Sequence, residues 1–276
     1  MREFTRLRAR ARVAERGPAA LSSAIGRLDR VYVMGAVFGL GLTAFLAIEP
    51  TQNWLLLLLA GLAALGSDGI VRTHPRARFR RLDDTALYLF VPVLFTLSLG
   101  LFLEEVAEGY WTLAAGLLAG IPFTAIIQAE YSTVNRKSEN YVSARLILNV
   151  ATYVIAFLFF ATIYDFDLPL PTASFAVGIV SLLLAIEILR EEALDTPRTL
   201  LYAVAIGLLL AEAGWALNFL PLEGAIAAVF LLLAFYLMTG LMHNYLGERL
   251  SLRTAGEFTG VAGLGLLIVI LSHTYI

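Results

Sequence analysis

The 276-residue chain has no cysteine and only one lysine, Lys137, and its three histidines are scattered at positions 74, 243 and 273. The lack of cysteine excludes disulfides, thiolate metal sites and a cysteine nucleophile, without identifying a compartment. Lys137 lies between apolar runs, which excludes a retinal-type Schiff base within one of them. His243 and His273 end consecutive apolar segments that cross in opposite directions, so they face opposite membrane surfaces and neither a shared metal nor a bridging haem is expected. No cofactor is expected. Charge is scarce too: 15% of residues are charged, against about 25% in ordinary soluble domains. No gap between apolar runs is long enough for a separate soluble domain, and no aspartate-rich pair of the kind used by membrane prenyltransferases occurs.

What the chain has instead is apolar length. Hydrophobic residues make up 59% of it, against roughly 45–50% in soluble domains, more than a water-soluble fold can hide. A helix needs about 20 apolar residues to cross a bilayer. Nine segments qualify, near 31–49, 54–71, 85–103, 111–130, 142–163, 173–189, 200–217, 225–243 and 257–274. They predict an all-α, polytopic integral membrane helix bundle with about nine transmembrane helices over residues 31–276, preceded by an Arg-rich segment at 1–30. Short connections, such as 49–53 and 218–224, make consecutive helices antiparallel neighbours.

The charges sort by side. Of the 20 basic residues, eight fall in 1–30, five in 72–81 and three in 136–145, and the rest are Arg190, Arg198, Arg249 and Arg253. The alternate gaps hold Glu49, Glu104, Glu105, Glu108, Asp165, Asp167 and Glu223 and no cation. Lys and Arg in short loops resist translocation, so the N-terminus is expected in the cytoplasm and the C-terminus outside. The expected location is the cytoplasmic membrane of a prokaryote. The net charge of −2 averages a basic and an acidic face. Residues 1–30 carry about +5, with Phe4, Leu7, Ala11 and Ala14 able to share a helical face, as an interfacial helix on anionic lipid would.

Other features refine the bundle. Trp54, Tyr110, Trp111 and Tyr164 sit at span ends, where amphipathic rings prefer the headgroup level. Pro92 and Pro122 fall inside spans and are expected to kink them. Gly35, Gly39 and Gly41 in the first span, and Gly256, Gly260, Gly263 and Gly265 in the last, are small-residue faces for close helix packing, within the chain or between subunits. Arg145, Arg198 and Arg253 recur at intervals of 53 and 55 residues at the starts of three helices, a pattern open to duplication of a hairpin or to simple topology.

Ionisable groups within spans are costly and therefore mark candidate sites. Glu212 lies 12 residues beyond Leu200, about 18 Å along a helix, and is the candidate proton or cation site. A second group, Asp68, Gln128, Glu130, Arg145, Asn149, Glu187, His243 and Asn244, falls within about two turns of the inner surface and forms a candidate polar cavity. Arg145, Asn149 and Tyr153 make one helical stripe. Arg145 is always charged and calls for a carboxylate partner, Glu130 or Glu187. Neither a catalytic residue nor a metal site is expected. Glu191-Glu192 is similar to the paired glutamates of membrane-embedded CAAX-type proteases, but Thr196 stands where that pattern has arginine, and its histidine motifs are missing.

Three classes of function stay open. A non-catalytic protein that binds lipid or a membrane-protein partner comes first. A transporter or channel for a small or hydrophobic solute comes second. An intramembrane enzyme using the polar cluster comes third. Membrane lipids are the expected partners, a homo-oligomer or another membrane protein remains open, and no nucleic acid is expected.

Overall fold

The computed structural model describes residues 30–48, 52–77, 85–107, 109–166, 168–190, 196–220, 222, 224–248 and 250–274. The basic segment at 1–29 lies outside the described residues. Among those described the fold is all-helical: α1 (Arg30–Ala47), α2 (Asn53–Arg72), a short 3-10 turn (Ala86–Tyr88), α3 (Phe90–Val106), α4 (Tyr110–Leu118), α5 (Gly120–Thr133), α6 (Tyr141–Asp165), α7 (Leu170–Leu189), α8 (Thr196–Leu217), α9 (Gly224–Leu246) and α10 (Leu252–Thr274). Eight spans are long and apolar enough to cross a membrane, with α4 and α5 counting as one, and α10 is a ninth helix of 23 residues. Hydrocarbon offers no water to a backbone N–H or C=O, so helices that satisfy themselves are the form such runs must take. Large apolar side chains cover the outside: Leu57, Leu65, Leu146 and Leu264 are each more than 60% exposed. In water these would be continuous sticky patches; in lipid they are in their proper solvent.

α6 is the central helix, packed against α3, α5, α7 and α9. Its long run of buried residues, from Ala144 and Arg145 to Ile163, reflects that position. The first half of the chain is held by an aromatic core in which Phe38 stacks on Phe123 at 4.0 Å, with Phe95 6.1 Å from Phe38.

Glycines set two close helix crossings. A Cβ built on Gly120 would lie 2.5 Å from the Gly35 carbonyl oxygen, and one on Gly116 would lie 2.8 Å from Thr43 Cα. Thus α1 rests backbone to backbone on α4 and α5. Likewise a Cβ on Gly207 of α8 would meet the Gly178 carbonyl of α7 at 2.7 Å. Gly35 and Gly39 therefore pack within the chain, whereas Gly256, Gly260 and Gly263 on α10 have no described residue within 4 Å of a built Cβ.

Each of the two span prolines lies three residues beyond an interruption in its helix, at Leu89 and Ala119. Each is the third residue of its helix, Pro92 in α3 and Pro122 in α5. A first-turn N–H has no intrahelical acceptor, so a proline there removes nothing. Around Pro122 the chain stays helical: Ala119 keeps φ −58° and ψ −24°, and the bonds Ala119 N to Ala115 O (3.0 Å) and Phe123 N to Ala119 O (3.2 Å) bracket the break. The fourth span is thus two helices in sequence, with an interrupted hydrogen-bond ladder between them.

Candidate functional site

Four charged side chains meet at one end of the bundle, where α5, α6 and α7 converge. Glu130 belongs to the last turn of α5, Arg145 to the first turns of α6, Glu187 to the last turn of α7, and Arg190 follows α7 directly. Arg145 donates through Nη1 to Glu187 Oε1 at 3.0 Å and through Nη2 to the Glu187 carbonyl at 3.2 Å. Arg190 Nη2 lies 2.7 Å from Glu187 Oε1 and 2.8 Å from Glu130 Oε2, while its Nη1 donates to the Leu87 carbonyl at 2.9 Å. The Arg190 guanidinium also sits 4.9 Å over the Tyr88 ring. Side-chain exposure is 0% for Glu130, 1% for Glu187, 5% for Arg145 and 12% for Arg190, so the cluster is shielded on nearly every side. Two cations face two anions, which is the balance that burial demands. Burial works against the charge on Arg190, but Glu130 and Glu187 outweigh it and hold its pKa above the ordinary arginine value. Glu130 Oε1 and Glu187 Oε2 are buried and accept no hydrogen bond from the described residues.

The remaining members of the predicted cavity separate into three places. Asp68 belongs to a local triad at the end of α2: Arg72 Nε reaches it at 2.7 Å, the Thr85 hydroxyl donates to it, and Arg72 Nη2 donates back to Thr85 at 3.2 Å. Gln128 is exposed and lines a polar pocket of about 370 Å³ with His74, Arg76, Tyr131, Asn135 and Asn140. In that pocket Arg76 Nη1 donates to Asn135 Oδ1 at 2.6 Å, and the His74 and Tyr131 rings pack edge to face at 4.7 Å. Asn149 is on α6, and His243 and Asn244 are on α9; the two helices pack together and are joined by a 3.2 Å hydrogen bond between Tyr153 and Thr239. One turn nearer the basic end, Asn149 and His243 take the next register positions of that antiparallel pair, and both are half-buried. Asn244 donates back to the Gly240 carbonyl at 2.9 Å.

Glu212 joins none of these groups. It is exposed on the outward face of α8, near Trp215, which is 44% exposed. The three arginines of the apparent repeat also have unlike surroundings: Arg145 is buried, whereas Arg198 is exposed and Arg253 forms a surface pair with Glu257 at 3.1 Å. Among the described residues no three His, Asp or Glu side chains gather closely enough to hold a metal ion.

Sequence reading missed Arg190, the hub of the cluster. One signal was available: Arg190 follows Glu187 by three residues, a spacing that puts both on one helical face. Its partnership with Glu130, 60 residues earlier, left no such trace.

The sequence model of a family described as "Protein of unknown function (DUF5656)" matches residues 31–272. The chain belongs to this family. Neither a curated protein nor a solved structure matches it. The DUF5656 match takes in nearly every described helix and all the charged side chains above, and leaves the Arg-rich segment at 1–30 outside it.

Proposed function

We infer that this chain is a non-catalytic integral membrane protein that binds an anionic phospholipid at its basic end. One observation carries the reading: two cavities of complementary character flank the first turn of α1. Val31 lines the polar pocket of about 370 Å³, and its neighbour Arg30 lines an apolar groove of about 510 Å³ between α1 and α2 with Val33, Met34, Val37, Leu62 and Leu65. A polar compartment beside an apolar one matches the two parts of a lipid. Among the described residues neither lining contains a carboxylate, while Arg76, His74 and Arg30 supply cationic or protonatable groups. That composition favours a negative headgroup.

Native mass spectrometry of the purified protein checks this. The protein should retain phosphatidylglycerol over phosphatidylcholine. Arg76→Gln should weaken that preference by about tenfold, the worth of a single charge-assisted hydrogen bond. Arg198→Gln, an exposed arginine outside both cavities, should leave it unchanged. Equal retention of the two lipids by wild type would sink the reading.

The orientation belongs to the same proposal, with the basic end in the cytoplasm of a prokaryotic cell and α10 ending outside. Because the chain lacks cysteine, single reporters need no background removal. Gln52→Cys should react with an impermeant thiol reagent added to intact cells, and Ser138→Cys should react only after lysis. The reverse pattern would invert the topology.

A further inference from the structure

The arginine cluster faces a second pocket, of about 190 Å³, lined by Tyr88, Thr133, Arg136, Tyr141, Arg145 and Arg190. Neither Glu130 nor Glu187 lines it. The two carboxylates hold Arg145 and Arg190 from within the bundle, and three arginines and three hydroxyl-bearing residues line the pocket together with Leu87. Arg136 is the third cation, and it reaches the cluster through a 3.3 Å hydrogen bond to the Arg190 carbonyl. Among the described residues of the cluster, three arginines stand against two carboxylates. The first residue of α6, a 25-residue helix, is Tyr141, so the positive end of that helix also borders the pocket.

We propose that this pocket binds a phosphate group, either as a free phosphate or phosphoester or as the phosphomonoester headgroup of a lipid. The chemistry follows from the wall. Guanidinium planes and hydroxyls match phosphate oxygens, and arginines already fixed by carboxylates give up little freedom on binding. The buried Arg145, 4% exposed, supplies a charge that water barely screens. The volume suits a phosphoryl group with a few waters, since a water occupies about 30 Å³ in the liquid, and it is too small for a nucleotide. This site is separate from the groove beside α1 and stands or falls independently of it.

The test uses the full chain in phosphatidylcholine nanodiscs. Inorganic phosphate is titrated in one arm, and phosphatidate is incorporated in place of part of the phosphatidylcholine in the other. A saturable rise in melting temperature with inorganic phosphate supports the site and points to a free phosphate source. A rise with phosphatidate alone supports it and points to a lipid. Arg136→Gln, at an exposed position, should weaken binding by about tenfold while leaving the unliganded melting temperature near that of wild type. Tyr141→Phe removes one lining hydroxyl and should weaken binding severalfold, an independent check if Arg136→Gln folds poorly. No saturable response in either arm overturns the proposal, as does equal affinity in wild type and both variants. Arg76→Gln should leave this binding intact, so failure here is distinguishable from failure of the lipid reading at α1.

Discussion

Arg190→Ala is expected to lower the stability of the detergent-solubilised protein by about 3–5 kcal/mol, because it strands a buried charge. Glu130 is 0% exposed and Arg190 is its ion-pair partner. Without that partner the carboxylate stays buried beside Glu187, with the Leu87 carbonyl also losing its donor. For a chain of this size the loss corresponds to a fall in melting temperature on the order of 10 °C. Arg145→Ala should cost less, about 1.5–3 kcal/mol, because Glu187 keeps its 2.7 Å contact with Arg190. The double variant Arg190→Ala with Glu130→Gln should recover part of the loss, since removing the stranded charge removes most of its penalty. An unchanged melting temperature for Arg190→Ala would mean that the arginine only reaches out to the headgroups and that the cluster holds nothing together.

Gly120→Ala is expected to cost about 1–3 kcal/mol, the usual toll of overpacking. The added methyl would stand 2.5 Å from the Gly35 carbonyl oxygen, a backbone atom that moves only if α1 moves. Gly260→Ala on α10 is the matched control: its Cβ meets no described residue within 4 Å, and alanine favours a helix over glycine by up to about 1 kcal/mol. Thermal unfolding should therefore separate the two glycines in opposite directions. Equal effects would show that α1 does not rest on α5 through these backbones.

The spans were legible because hydrocarbon leaves so little choice of structure. Apolar runs read at 54–71 and 142–163 became helices Asn53–Arg72 and Tyr141–Asp165. Errors gathered at the ends, where polar residues still continue a helix. α10 was read from residue 257 but begins at Leu252, because Arg253 and Glu257 pair along an exposed turn instead of closing the helix. Pro122 marked the span that is interrupted, and the break falls three residues before it, at Ala119. For the site, the sequence showed which residues sit at the basic end but not which way each helix is turned. Rotation about the helix axis is set by packing, and it sent Glu130 and Glu187 inward to the arginines, Gln128 to the surface pocket and Glu212 to the outside. Depth is written along a chain; azimuth is decided between chains of side chains.

The cluster also bears on the order in which the bundle is made. Arg145 waits 42 residues for Glu187, and Glu130 waits 60 residues for Arg190. At a synthesis rate of about 5–20 residues per second, the second wait lasts about 3–12 s. During that interval α5 carries a carboxylate whose counter-charge has not yet been translated. The ion pairs that join α5, α6 and α7 are therefore complete only once Arg190 has been made. A ribosome stalled before that codon should leave α5 easier to extract from the membrane than one stalled after it.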